Sequence, residues 1–273
     1  MASLLRRGLL AGLVAGLVAG VFYLIAGEPV VQQALHYEIA PAGGHTVAVF
    51  SRGTQRVGLV AATLLYGAAM GGVFGFLYAL LEPRLRAGSP WDRSLRLAAV
   101  AFASAWLVPF LKYPSNPPGV GDPATGPERT RLYLIMVAVS IAASAGAWLL
   151  SRRLAAGGLP RAPRQLVVGA AYLIVILAAY ALLPEVRQES NVPSAVLWDA
   201  RKASAGGQAL LWLSLGVSFG WLSLWAETAR SRGLRVPGRG TGASGAPGAG
   251  GAPGPGAAGP PRPGAEGADP SGG

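Results

Sequence analysis

The sequence predicts an all-α membrane protein: about six transmembrane helices in one bundle, both termini cytoplasmic, and a proline-rich outer loop between spans three and four. Three observations carry that expectation. Apolar residues make up 52% of the chain and charged residues only 13%, with a mean hydropathy of +0.42. The apolar residues are gathered into runs nearly free of charge, and a bilayer core of about 30 Å is crossed by about 20 residues at the helical rise. The basic residues, which give a formal net charge of +11, fall between those runs, so they read as topology signals and not as a nucleic-acid patch.

The six runs are 8–27, 57–81, 97–111, 132–151, 165–184 and 203–226. The first follows Arg6 and Arg7; it is longer than a signal-peptide core and no clean A-x-A cleavage site follows it, so it reads as a span. Within it Gly8, Gly12, Gly16 and Gly20 recur every fourth residue, and the second run repeats the device with Gly67, Gly71 and Gly75. Such ridges let helix backbones approach closely, either as static packing or as a sliding interface.

The segment 28–56 between these runs is expected to be the first outer loop, and it holds both histidines of the chain, His36 and His45. With Glu28 and Glu38 it offers imidazole and carboxylate ligands of the kind that suit cobalt, nickel or zinc. The H-x8-H interval matches no compact metal site, so two loop histidines without a metal role are the favoured reading of the residues themselves. The inner connectors 82–96 and 152–164 are short, rich in arginine and punctuated by proline.

The third run has a short charge-free core that contains Pro109, so its helix is expected to start nearer Trp91, with Arg93 and Arg96 reaching to the surface. It leads into 112–131, KYPSNPPGVGDPATGPERTR, which holds five prolines and three glycines. Each proline fixes φ and lacks an N–H, so a stiff, partly extended excursion is expected there, neither helix nor central strand. Asn116 and Asp122 each precede a proline and suit turn initiation. The third outer loop, 184–202, mixes acids and bases around Pro193, and Trp198 suits a membrane interface. In the last run Gln208 is expected to hydrogen-bond to another helix. From Pro237 onward the chain is almost only Gly, Ala and Pro, too poor in large apolar side chains to offset the entropy of ordering. The expected organisation is therefore a transmembrane domain, 1–230, and a disordered cytoplasmic tail, 231–273.

Orientation follows from the arginines. With the N-terminus inside, the inner segments hold Arg6, Arg7, Arg84, Arg86, Arg93, Arg96, Arg152, Arg153, Arg161, Arg164 and the arginines after 226, with few acids among them. The outer loops hold fewer bases, and acids nearly balance them. The absence of cysteine excludes disulfides, thiolate metal sites and thiol catalysis. Motifs of membrane enzymes are missing too: there is no HExxH and no D-x-x-x-D pair.

The segment 112–123, KYPSNPPGVGDP, followed by Glu128, Arg129 and Tyr133, closely resembles the KYPANPPAVGDPETI…R…Y segment of the predicted cobalt transporter subunit family, CbtA. The opening Gly/Ala/Leu span ending in Glu28-Pro29, the loop with His and Glu, and the Trp-rich last helix agree with that family over roughly 1–230. The resemblance implies a bacterial inner-membrane protein engaged in cobalt uptake for cobalamin supply, without a resident cofactor and often paired with a small histidine-bearing partner subunit. By position it implies His36, Glu38, His45 and Asp122 as metal ligands, and Lys112, Tyr113, Asn116 and Arg129 as a path or gate. A non-transporting accessory subunit, with the proline loop as a docking surface, is the alternative, and an integral membrane enzyme fits less well.

Overall fold

The computed structural model describes residues 1–39, 51–84, 88–117, 125–186 and 192–233. By its internal contacts the chain divides into Met1–Pro237 and Gly238–Gly273, the second lying outside the described residues together with the expected disordered tail. Among the described residues there are eight α-helices and two π-helical turns, and no strand: α1 (Ala2–Phe22), α2 (Glu28–Ile39), α3 (Arg52–Leu81), α4 (Pro90–Phe102), α5 (Val108–Lys112), α6 (Gly126–Ala156), α7 (Arg161–Leu182) and α8 (Ser194–Ser231). They form six helices long and apolar enough to cross a membrane: Ala2–Leu35, Arg52–Leu81, Pro90–Lys112, Gly126–Ala156, Arg161–Leu182 and Ser194–Ser231. The chain is a multi-pass helical membrane protein.

The glycine ridges are the tightest contact in the bundle. α1 buries Gly8, Ala11, Gly12, Ala15, Gly16, Ala19 and Gly20, a stripe of small residues at helical spacing. It meets the glycines of α3. A Cβ on Gly12 would lie on the Gly67 carbonyl and 2.8 Å from the Gly71 Cα, and one on Gly67 would lie 2.6 Å from the Gly16 Cα. No side chain fits between these backbones, so glycine here serves close approach. Behind α1 and α3, the helices α4 and α8 complete a core of Phe74, Tyr78, Ala98, Leu211, Trp212, Leu215 and Phe219. There Phe219 lies edge-on to Phe74 with ring centroids 5.2 Å apart. Ser94 Oγ donates to the Gly216 carbonyl at 2.7 Å, which ties α4 to α8 where Gly216 brings the two backbones together.

Each π-helical turn, Tyr23–Gly27 and Ala103–Leu107, ends two residues before a proline, Pro29 and Pro109. A proline in a continuous helix removes one N–H and drives its ring at the carbonyl four residues back. One extra residue in the preceding turn, bonded Glu28 N–H to the Tyr23 carbonyl and Val108 N–H to the Ala103 carbonyl, widens the helix so that it continues past the ring. The expectation that 28–56 forms a loop is corrected on this account. The first helix runs on to Ile39, and the next starts at Arg52 behind the Ser51 cap, whose Oγ accepts from Thr54 N–H at 3.2 Å. The extension α2 packs Ala34 against Val192 and Val196 at the start of α8. Glu28 is held by Arg56, whose Nε donates to both carboxylate oxygens at 2.9 and 3.0 Å.

Further boundaries also move. The third span starts at Pro90 behind a capping box, Asp92 N–H to Ser89 Oγ at 3.2 Å and Ser89 N–H to Asp92 Oδ2 at 3.1 Å, as the expected start near Trp91 requires. Arg96 is exposed as expected, whereas Arg93 is half-buried and its Nε has no hydrogen-bond partner. The segment 112–131 is less of a loop than its prolines suggest. Lys112 closes α5 and α6 begins at Gly126 with Pro127 in its first turn, a position where the missing N–H costs nothing. The last helix starts at Ser194, so Asp199, Arg201 and Lys202 ride on α8 and not on a loop. Gln208 does not find the bond expected of it: its Oε1 is buried without a partner.

Candidate functional site

The third, fourth, fifth and sixth spans diverge at the end of the bundle where α5 stops, and they leave a cavity of about 980 Å³. Its walls are built by local sequence. α6 and α7 are a helical hairpin closed at the opposite end by Gly157 and Gly158, the latter at φ 80°, where a left-handed residue ends the helix cheaply. The buried face of α6, Leu132, Met136 and Ser140, turns to the third span, and one turn further Ser144 shares a 2.7 Å hydroxyl bond with Ser104 in the second π turn. Two tyrosines fix the fifth span to the third. Tyr180 Oη donates to the Val108 carbonyl at 2.5 Å, and Tyr113 Oη donates to the Pro184 carbonyl at 2.8 Å. Ser115 Oγ meets Ser204 Oγ at 3.1 Å, which brings the loop after α5 to α8.

Four residues singled out in the sequence, Lys112, Tyr113, Asn116 and Arg129, line this one cavity. They come from both sides of the proline segment. Arg201 from α8, Glu185 from the end of the fifth span, and Tyr133 and Tyr180 from α6 and α7 join them. Of these additions only Tyr133 carries a signal in the sequence, through its place in the motif; Glu185, Tyr180 and Arg201 arrive from distant segments by packing alone. His45 and Asp122 lie outside the described residues, as do the side chains of His36 and Glu38. The backbone places 36 and 38 on one helix, where positions two apart do not share a face. Among the described residues, no three His, Asp or Glu side chains come together as a metal cluster.

The electrostatics of the cavity are set by cations. The Lys112 side chain is only 11% exposed, and the carboxylate nearest it, that of Glu185, is 3.9 Å away and 85% exposed. That is a long pair with a solvated partner, weak compensation for a buried ammonium. Arg129 and Arg201 each have a buried Nε without a hydrogen-bond partner, as has the Asn116 Oδ1, and the Arg201 guanidinium lies 5.9 Å from the Trp198 ring centre. Burial, helped by the Glu185 carboxylate, pushes the Tyr113 hydroxyl above its usual range, so it stays a neutral donor to Pro184.

A second polar site lies at the other end of the bundle. Arg7, Tyr78, Glu82, Ser223, Glu227 and Arg230 surround a space of about 90 Å³, room for a few waters at about 30 Å³ each. The hydroxyls of Tyr78 and Ser223 are buried there without a partner. Between the two sites stands the apolar core of Phe74, Leu211, Leu215 and Phe219. Of the hydroxyls available for a polar path, Thr63 bonds back to the Val60 carbonyl at 3.0 Å, Ser104 and Ser144 satisfy each other, and Ser140 Oγ is buried without a partner.

A family model described as "Probable cobalt transporter subunit (CbtA)" matches residues 1–223 of the chain. Comparison with curated proteins finds no match, and comparison with solved structures finds none either.

Proposed function

The chain belongs to the CbtA family of probable cobalt transporter subunits, and from that membership we propose that it carries a divalent transition-metal cation, cobalt in the first place, inward across a bacterial cytoplasmic membrane. Both termini face the cytoplasm in this reading, and the cavity between α5, α6 and α7 opens outward. The observation that carries it is the family match over residues 1–223; Lys112, Tyr113, Asn116 and Arg129, which the family motif singles out, line that one cavity. His36, Glu38, His45 and Asp122 are the proposed ligands that capture the metal outside the membrane, the imidazole and carboxylate set that suits cobalt. A small histidine-bearing protein is the proposed partner subunit.

One observation favours a second reading, in which the chain is an accessory subunit that does not itself conduct. The core between the two polar sites is apolar, and no acid or base sits mid-span, whereas ion pathways generally carry such a group. The test is cobalt uptake in a bacterial host without high-affinity importers. It compares wild type with a His36→Ala/His45→Ala pair and a Lys112→Ala/Asp122→Ala pair at matched membrane levels. Transport by this chain predicts uptake that falls by about tenfold or more when the histidines are removed. No uptake, even with a small histidine-bearing partner supplied, assigns the chain to the accessory role.

A further inference from the structure

The charge of the cavity between α5, α6 and α7 is of the wrong sign for a bare divalent cation. Among the described residues that line it, Lys112, Arg129 and Arg201 stand against a single carboxylate, that of Glu185, which is 85% exposed. Neither arginine is engaged by an acid: the described ion pairs are Arg56 with Glu28, Lys112 with Glu185 and Lys202 with Asp199, and the Nε atoms of Arg129 and Arg201 are buried without hydrogen bonds. A buried guanidinium N–H left without an acceptor costs desolvation until one arrives, and a planar oxyanion is the acceptor whose geometry matches the guanidinium fork. Tyr133 and Tyr180 add aromatic walls, and a volume of about 980 Å³ holds a small organic acid with room to spare.

We propose that this cavity is an oxyanion site, which takes a carboxylate or phosphate group between Lys112, Arg129 and Arg201. This deepens the transport reading and rests on it in one respect: a metal that enters here does so wrapped in carboxylates, as an anionic chelate. The same chemistry has two sources, a free organic acid and the phosphate of a lipid headgroup, and the surrounding lipid tells them apart.

The full chain is reconstituted in nanodiscs of phosphatidylcholine, and in parallel in discs containing phosphatidylglycerol. Each is titrated with citrate, inorganic phosphate, cobalt citrate and cobalt chloride. Calorimetry reads the binding, and tryptophan fluorescence with a Trp198→Phe control reads the ring beside Arg201. The expected result is saturable binding of citrate, cobalt citrate or phosphate that weakens as salt is raised. Arg129→Gln lowers the affinity about tenfold or more, and Arg129→Lys lowers it by less, because it keeps the charge and loses the fork. Equal citrate binding in both kinds of disc identifies a free acid as the natural occupant; citrate binding lost in phosphatidylglycerol identifies the headgroup, and both outcomes support an oxyanion site. Failure of every anion to bind in phosphatidylcholine discs overturns the proposal, as does unchanged affinity in both Arg129→Gln and Arg201→Gln, or cobalt chloride binding better than any anion. Cobalt uptake by cells without oxyanion binding leaves transport standing and removes this inference; oxyanion binding without uptake does the reverse.

Discussion

At the scale of single residues, glycine and arginine set the character of the molecule for opposite reasons. The α1–α3 glycines are needed because a Cβ has nowhere to go: on Gly71 it would meet the Gly8 carbonyl and lie 2.7 Å from the Gly12 Cα. Gly146 in α6 has nothing within 4 Å of the same atom. Gly12→Val is therefore expected to cost about 1–3 kcal/mol by overpacking, while Gly146→Ala is neutral or stabilises by up to about 1 kcal/mol through helix propensity. Thermal unfolding in detergent checks the pair, and equal melting shifts would refute the packing account. The four-residue repeat makes these glycines legible in the sequence. Gly206 and Gly207 were not legible: they accept the Phe22 and Tyr23 rings, and nothing local to α8 announces that two aromatic rings, from the end of α1 and the start of the first π turn, lie against them. Arg201 and Glu185 escaped for the same reason, since their shared cavity exists only after four spans have packed.

At the scale of elements, the two π turns decide where the chain goes after each proline. Proline inside an apolar run suggests an end or a kink, and the sequence expectation for Pro29 was an end. The observed helix passes through it because one added residue relieves the clash with the carbonyl four positions back. The second π turn also determines how α5 emerges, and with it the position of Lys112 and Tyr113. Tyr180→Phe and Tyr113→Phe are each expected to cost about 0.5–1.5 kcal/mol through the lost bonds to the Val108 and Pro184 carbonyls. In a Pro109→Ala background, where the turn is free to relax to an α-helix and rotate α5, those costs should largely vanish. A double-mutant cycle by thermal unfolding measures that coupling, and strict additivity would show that the proline does not place α5. By contrast the N-termini of α3 and α4 carry local signals, the Ser51 cap and the Ser89/Asp92 box, which run lengths alone pass over.

At the scale of the whole molecule, six spans in even number bring Met1 and the end of α8 to the same side, and Arg7 and Arg230 line one small space there. The cavity of Lys112 and Arg129 opens at the opposite end. Because the chain has no cysteine, single cysteines report sidedness cleanly. In intact cells Ser115→Cys should react with a membrane-impermeant maleimide, and Ser3→Cys only after permeabilisation. The reverse pattern would invert the orientation and turn the cavity into an inward mouth. The bundle itself is uneven: α1, α3, α4 and α8 share the core, whereas α6 and α7 expose most of their apolar surface. In a bilayer that surface faces lipid at little cost, so the hairpin is held to the rest by the buried α6 face of Leu132, Met136 and Ser140 together with Ser104–Ser144 and the two tyrosine bonds.

The sequence by itself determined that this is a helical membrane protein, how many spans it has, which helices meet through glycine, and that the polar residues on both sides of the proline segment merit attention. Those properties are written in composition, run length and local repeats, which report the solvent each residue must face. The tertiary structure alone decided that Lys112, Tyr113, Asn116 and Arg129 share one space with Glu185 and Arg201, that bases outnumber acids among the described residues lining it, and that Pro29 sits inside a helix. Each of these depends on distances between residues far apart in the chain, and a bilayer, apolar on every face of every span, leaves no periodic pattern from which such distances are read.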